Sequence, residues 1–511
     1  MIIESFLKKA KNNFNKSVMS DSTGMSLTYG QVLTASILLS KHIRNFEGNN
    51  IAILFPSSVG GALAHIAIAL TLKTPVGLNF IASKEDQEYV LKLCEVKTIF
   101  TSRKFIEKAM IDEDDRMVFI EDIQKMISKS QKLLTFFSCK LQSVQSLINK
   151  FKIYDGNDKT AVLLFTSGSE AHPKGVQLTN FNIFSSIQSY SAILDERPDD
   201  VILAALPFFH VFGFVVCLWF PLLVGAGAFF YPNPTDYERL GKIVLKHKIT
   251  ILLGTSTLYR GFMRKWHKDQ VQSVRLAYAG AEKLNKTVRE RFNEKLGIKI
   301  LEAYGITETC ACVSANPSND YRNGSVGRCL HDIDCKIVNP DTFEEVPHGK
   351  DGLILVKGPN IMKGYYKEDE QTRQAFYKDF YITGDIGRLE NDFLYITDRL
   401  KRFAKIGGEM VPLLPIEDKL SDILDKNGEN ENRQCAVINI PDAQKGEQIV
   451  GIVVDPNPDK LYLNAELDQN GITKLSQPNH YLTIDTIPML ASGKIDYRSL
   501  KDFATKELVE S

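Results

Sequence analysis

Between Ser26 and Thr101 the chain alternates between two kinds of segment. Ser26-Leu27-Thr28-Tyr29-Gly30-Gln31 opens a run of helical period that continues to Ile43. Ile51-Ala52-Ile53-Leu54-Phe55 is a short apolar strand ended by Pro56, and Val59 to Leu72 returns to helical period. Pro75-Val76-Gly77-Leu78 is strand-like again, and Lys97-Thr98-Ile99-Phe100-Thr101 repeats the pattern. Alternation of this kind predicts parallel-type sheets covered by helices.

At 511 residues the chain is too long for one compact core, so two or more domains are expected. The pattern changes near Asp398-Arg399-Leu400-Lys401. Beyond it, Pro415 to Leu424 reads as a helix, and Gln434 to Pro441 and Gln448 to Val454 read as strands. That suffices for a small α+β domain of about 110 residues. The expected fold class is therefore α/β plus α+β, with a large domain over 1–398, a hinge over 399–402 and a small mobile domain over 403–511.

One loop carries more chemistry than any other segment. Ala161-Val162-Leu163-Leu164-Phe165 reads as a buried strand, and Thr166-Ser167-Gly168-Ser169-Glu170-Ala171-His172-Pro173-Lys174-Gly175 follows it. Hydroxyls, glycines and a lysine after a strand can wrap a phosphate chain with backbone N–H groups and one cation. The spacing is not that of a Walker A loop, because Pro173-Lys174-Gly175 stands where Gly-Lys-Ser/Thr is required. On composition alone, a polar strand-to-strand turn also fits.

The loop resembles the phosphate-binding loop of the acyl-adenylate-forming ligases, the superfamily of AMP-binding acyl-CoA synthetases, adenylation domains and luciferases. The similarity runs along almost the whole chain. Two runs, Ser167 to Val176 and Lys401 to Val411, are most similar to bacterial acyl–acyl carrier protein synthetases and to the synthetase half of 2-acylglycerophosphoethanolamine acyltransferase. The resemblance implies an acid–thiol ligase. A carboxylate resists attack by a thiol because oxide is a poor leaving group, so it is first joined to AMP with release of pyrophosphate. Such chemistry uses ATP and Mg²⁺.

Carried onto this sequence, the family pattern gives each motif a role. Thr166, Ser167, Gly168, Ser169 and Lys174 would hold the terminal phosphates, with Ala171 standing where the family has glycine. Gly280, Ala281 and Glu282 would form the adenine-edge loop. In Glu302-Ala303-Tyr304-Gly305-Ile306-Thr307-Glu308, Tyr304 would stack on adenine and Thr307 would touch the α-phosphate. Glu308, with Thr166, would bind the metal. Asp385 and Arg399 would hold the ribose. Lys494, in Ser492-Gly493-Lys494-Ile495-Asp496, would reach the carboxylate and α-phosphate, making it catalytic with Thr166, Glu308 and His210. Lys401 would be the hinge, and Gly407 and Gly408 would line the tunnel for the thiol arm. Lys401, Arg402 and Lys405 form a basic cluster that an acidic carrier protein would match, or else a polar hinge surface.

The acyl pocket is expected around Phe209, His210, Phe212, Val215, Trp219 and Thr255, although His210 also fits a core histidine. So apolar a setting suits a fatty acid. The expected acceptor is an acyl carrier protein, with coenzyme A, which carries the same thiol arm, as the close alternative. A non-catalytic nucleotide-binding module is the distant one.

Bulk properties narrow the field. Formal net charge is zero, so no global field favours nucleic acid. The eight cysteines are sparse and lack metal spacing, which reads as free thiols in a reducing, cytoplasmic setting. Met1-Ile2-Ile3-Glu4-Ser5-Phe6-Leu7-Lys8-Lys9 reads as a surface helix rather than a leader. Val211 to Phe230 is uncharged over a membrane-spanning length, but Pro221, Gly225 and Gly227 interrupt it, so a buried helix and core strand are expected. Residues 123 to 154 hold six lysines and no acid, with apolar residues near helical spacing. The expectation is a surface helix whose apolar stripe packs on the body, with peripheral contact at the inner face of a membrane as the alternative.

Overall fold

The computed structural model describes residues 1–153, 156–166, 172–406, 409–425, 435–442, 446–455, 457–489 and 495–508, with only the backbone of Lys401 and Met410. Among these residues the strands form four sheets.

Two sheets of the large N-terminal domain follow the alternation in the sequence. In one, Asn50–Leu54 lies between Thr74–Gly77 and Thr98–Thr101, all parallel, and Thr74–Gly77 runs parallel to Thr160–Phe165. Gly175–Thr179 then returns antiparallel along Thr160–Phe165, so the phosphate-type loop joins two neighbouring strands at one end of this sheet. In the other, Ile300–Tyr304, Leu276–Ala279, Ile251–Gly254, Val201–Ala204, Gly227–Phe230 and Ser17–Asp21 form a parallel series. A continuous core joins the two sheets and buries Trp219, Trp266, Tyr29 and Tyr259. A third, antiparallel sheet from Asp334–Val338 to Phe393–Arg399 completes the large domain.

The run from Val211 to Phe230 is interior. Phe212–Trp219 is a π-helix, Phe220–Val224 continues as α-helix, and Gly225 ends it at φ 97° before the strand Gly227–Phe230. Glycine suits that left-handed position because it has no Cβ to clash. Among the described residues no helix is long and apolar enough to cross a membrane.

The small C-terminal domain is α+β, with helices on both faces of its sheet. Cys435–Asp442 shows why by its period of two. Cys435 and Val437 pack with Leu420 and Leu467 on one face, whereas Ala436, Ile438 and Ile440 pack with Leu500 and Ala504 on the other. The helix Leu413–Leu424 starts two residues before Pro415, which its first turn tolerates because the missing N–H there has no intrahelical partner. The eight cysteines are free thiols, as read from sequence.

The expectation for residues 123–154 holds in part. Ile127, Leu147 and Phe151 are buried, and Val144 and Ile148 pack against the core. On the helix Lys129–Leu141, however, Leu133, Leu134, Phe137 and Leu141 face solvent, while Thr135 and Cys139 are buried. Amphipathic spacing fixes which residues share a face. It does not fix which face turns inward.

Candidate active site

The residues expected to hold a nucleotide converge at the C-terminal ends of two strands and at a bulged hairpin. Ile300–Tyr304 delivers Tyr304 and, through a tight turn, Glu308. That turn needs glycine at 305, where a Cβ would stand 2.2 Å from the Ala311 carbonyl oxygen. Phe380–Glu390 delivers Tyr381 and Asp385, and Phe393–Arg399 pairs with it so that Arg399 lies opposite Asp385.

These side chains form two hydrogen-bonded groups. The Tyr304 hydroxyl donates to Asp385 Oδ2 at 2.5 Å, and Arg399 Nε donates to Asp385 Oδ1 at 2.8 Å. Asp385 is itself buried, and the exposed Arg399 covers it. Burial and the neighbouring Asp385 charge push the Tyr304 hydroxyl well above its ordinary pKa, so it stays a donor. The Thr383 hydroxyl accepts from the Asp385 N–H at 3.0 Å and donates to the Ile354 carbonyl at 2.8 Å, which fixes the turn. The second group draws on the same elements, with Tyr381 on the strand of Asp385 and Glu308 just after the strand of Tyr304. The Tyr365 hydroxyl donates to Glu308 Oε1 at 2.9 Å and lies 3.2 Å from the Tyr381 hydroxyl. Lys174 Nζ stands over the Tyr365 ring, 5.3 Å from its centroid, so the loop lysine reaches the same place. The Thr166 N–H donates to the Lys174 carbonyl at 3.1 Å and closes the base of the loop.

Sequence reasoning passed over Tyr365 and gave Tyr381 and Thr383 no role. Nothing in Gly364-Tyr365-Tyr366 marks a site; only the short antiparallel pairing of Gly364–Tyr365 with Gly175–Thr179 brings Tyr365 beside the loop.

Other expected residues are engaged elsewhere. The Glu302 carboxylate is buried and accepts from Arg289 Nη1 and the Gly324 N–H, both at 3.1 Å. Burial raises its pKa and the Arg289 charge opposes that rise. Glu282 accepts the Thr257 N–H at 2.5 Å and so caps the helix Ser256–Lys265. Ala281 holds φ 68°, a strained position for a residue with a Cβ. Gly280, Ala303 and Phe212 are neighbours: a Cβ on Gly280 would lie 3.4 Å from the Phe212 ring and 3.6 Å from the Ala303 carbonyl oxygen. Ala303, Ile306 and Thr307 are partly exposed.

Of the expected acyl wall, His210 and Phe212 are partly open, and His210 Nδ1 accepts the Phe212 N–H at 3.3 Å. Phe209, Val215, Trp219 and Thr255 are closed in the interior, and the Thr255 hydroxyl accepts the Leu258 N–H as a helix cap. The basic cluster needs correction. Arg402 is not a docking residue: its guanidinium donates to buried Glu417 Oε2 at 3.0 Å and to the Tyr497 hydroxyl at 2.9 Å, and stacks on the Tyr497 ring. Lys405 is exposed. Ser167, Gly168, Ser169, Ala171, Gly407, Gly408 and Lys494, and the side chain of Lys401, lie outside the described residues.

The donor set fits the groups the site would take. Asp385, buried yet bordered by a tyrosine and an arginine, has a carboxylate that could accept from paired hydroxyls. Glu308 offers a hard oxygen ligand, and among the described residues no cluster of three or more His, Cys, Asp or Glu gathers. A divalent cation here would rest on one carboxylate, water and nucleotide phosphates, the pattern Mg²⁺ prefers.

A large domain of two helix-covered sheets and an antiparallel sheet, followed by a small α+β domain, is the architecture of adenylate-forming ligases. The AMP-binding enzyme family model matches residues 6–366, and the chain belongs to that family. It is an acid–thiol ligase that works through an acyl-adenylate. A long-chain-fatty-acid–CoA ligase of Bacillus subtilis (strain 168) is 27% identical over 94% of this chain and 91% of its own. One of Escherichia coli O6:H1 is 30% identical over 67% of this chain and 62% of its own. Among solved structures, ATP-bound MatB from Rhodopseudomonas palustris matches with a TM-score of 0.82 at 22% identity, covering 100% of both chains. The o-succinylbenzoate coenzyme A synthetase MenE of Bacillus subtilis, in complex with ATP and magnesium ion, matches with a TM-score of 0.82 at 22% identity over 98% of this chain and 99% of its own.

Proposed function

We propose that this chain activates a fatty acid with ATP and passes the acyl group to the thiol of coenzyme A. The observation that supports the nucleotide part is the pair of groups Lys174–Tyr365–Glu308 and Tyr304–Asp385–Arg399, carried on shared strands, in which we assign Lys174 to phosphate, Glu308 to metal and Asp385 with Arg399 to ribose. Support for acyl substrate and acceptor comes from relatives named long-chain-fatty-acid–CoA ligases, which favour coenzyme A over the carrier protein expected from sequence. The carrier protein stands as the second reading on the resemblance of the runs Ser167–Val176 and Lys401–Val411. The loss of Arg402 from the basic cluster weakens it.

In the first half-reaction a carboxylate oxygen attacks the α-phosphorus of ATP and pyrophosphate leaves. Lys174 and the loop hold the terminal phosphates, Asp385 and Arg399 hold the ribose, and Lys494 neutralises charge at the α-phosphate. Glu308 would hold Mg²⁺, which would supply positive charge to offset that on the leaving pyrophosphate. In the second, the thiol sulfur attacks the acyl carbonyl and AMP leaves, after the small domain turns about 399–402 to bring Gly407 and Gly408 to the thiol arm.

The test is a paired thioester assay with ATP, Mg²⁺ and palmitate, one arm with coenzyme A and one with holo-acyl carrier protein. Palmitoyl-CoA as the main product is expected. Thioester only on the carrier protein overturns the acceptor, and AMP formation in neither arm overturns the fatty acid.

A further inference from the structure

We propose that the outer face of the helix Lys129–Leu141 docks on an anionic lipid bilayer. Four apolar side chains lie along it: Leu133 is 59% exposed, Leu134 71%, Phe137 49% and Leu141 80%. Their spacing puts them on one side of the helix, opposite buried Thr135 and Cys139. Met126, 67% exposed, precedes them.

The helix is held so that it cannot roll this stripe inward. Ser128 and Gln131 form a capping box at its start. Lys11 Nζ donates to the carbonyls of Cys139 at 2.8 Å and Lys140 at 2.7 Å, and Phe136 meets Phe14 edge-on at 5.1 Å. Lys150 Nζ donates to Ser138 Oγ at 2.7 Å. A contiguous apolar stripe fixed on the solvent side of a fold marks an interaction surface.

Charge decides what covers it. Residues 123–154 hold six lysines and no acid. Lys129, Lys132 and Lys140 form no ion pair among the described residues, and Lys11, Lys41 and Lys150 stand on or beside the elements packed against this helix. Glu4, on the nearby helix Ile2–Asn12, is paired with Lys8. A second copy of the same face would set lysines against lysines. An anionic bilayer accepts both parts, the apolar side chains at the acyl boundary and the lysines among the headgroups. At about 20 Å the helix is too short to span the roughly 30 Å hydrocarbon core, so it lies in the interface plane.

The test is sedimentation of the full chain, without ATP or fatty acid, with vesicles of phosphatidylcholine alone or mixed with phosphatidylglycerol. Sedimentation with the anionic vesicles only is expected. Lys129→Glu, Lys132→Glu and Lys140→Glu together should weaken it by about fivefold per lysine. Leu134→Ser with Leu141→Ser should weaken it at least about tenfold. All five positions are exposed, so unchanged thermal melts and unchanged acyl-adenylate formation from a water-soluble acid keep the variants interpretable. The surface assignment is overturned if the wild type stays in the supernatant with both vesicles, or binds equally well after the leucine changes. It is also overturned if the protein is a dimer that Leu134→Ser converts to monomer without any vesicle binding. Sedimentation reads no chemistry, so its failure and a failure of the ligase reading are separate results.

Discussion

Asp385 is the most heavily committed side chain in the cleft, since it takes a tyrosine and an arginine while almost fully buried. Asp385→Asn keeps its shape but removes the charge that Arg399 faces and that a ribose would use. A hydrogen bond to a charged group contributes roughly 1.5–3 kcal/mol, so kcat/KM for ATP should fall about 10- to 100-fold with the fold intact. Unchanged kcat/KM would show that the ribose sits elsewhere. His65 gives a second residue-scale prediction. It is 2% exposed, wedged edge-on against Phe208 and Phe214, and its Nδ1 has no hydrogen-bond partner. Burial lowers its pKa from the ordinary 6.5 to about 3. Below pH 6.5 the unfolded chain takes a proton that the folded chain refuses, so stability falls as pH falls, at up to about 1.4 kcal/mol per unit. His65→Met removes that dependence. Between pH 7 and pH 5 the wild type should lose about 2 kcal/mol more than the variant in urea unfolding of the large domain. Parallel losses would mean that His65 is charged or solvated in the fold. Neither residue's environment was legible in the sequence. Asp385 stood out only by its motif, and His65 not at all, because the partners of each lie far away along the chain.

At the scale of the element, period was legible and orientation was not. The strands Asn50–Leu54, Thr98–Thr101 and Cys435–Asp442 fall within a residue or two of their expected places, because apolar runs bounded by proline or polar residues leave little choice. The stripe of Lys129–Leu141 was equally visible, yet its outward turn depends on Lys11 and Phe14, contacts no local pattern contains. Arg402 teaches the same lesson. Among lysines in sequence it looks like a docking charge. In the fold it anchors the helix Leu413–Leu424 through Glu417, which is 0% exposed and also accepts the Val437 N–H at 2.9 Å and the Tyr497 hydroxyl at 2.7 Å. Arg402→Ala leaves a buried carboxylate without its cation, at a cost of about 3–5 kcal/mol. The small domain should then melt first, in a separate early transition. Arg402→Met combined with Glu417→Leu should restore much of the loss, since a buried ion pair is often no better than apolar packing. A double variant no more stable than Arg402→Ala would show that the pair itself specifies the domain's packing.

Across the whole molecule, one seam joins the two domains. The helix Leu413–Leu424 and the residue after it turn Asp418, Asp422 and Asp425 toward the large domain. Arg260 Nη1 meets Asp425 at 2.9 Å, Lys283 meets Asp418 at 3.4 Å, and the Thr287 hydroxyl donates to Asp422 at 2.9 Å. Arg260 and Asp425 are little exposed, at 13% and 11%, so this pair escapes much of the screening that weakens surface ion pairs. Asp398, just before the proposed hinge, works on the other side of the joint: its buried carboxylate accepts the Leu414 N–H at 2.9 Å and ties the end of the third sheet to the start of the same helix. Any large turn of the small domain about 399–402 must therefore break the acidic seam, and it also strains the Asp398–Leu414 contact, which spans the same residues. Asp422→Ala with Asp425→Ala should loosen the seam without touching the cleft. A loss of about 1.4 kcal/mol from the closed arrangement multiplies the open population about tenfold. Trypsin cleavage at Lys401 or Arg402 tracks that population when opening is fast, so it should speed up by about the same factor, and high salt should narrow the gap to wild type. Equal cleavage rates in low salt would show that the seam contributes nothing to holding the domains, and that packing around Asp398 sets their arrangement alone.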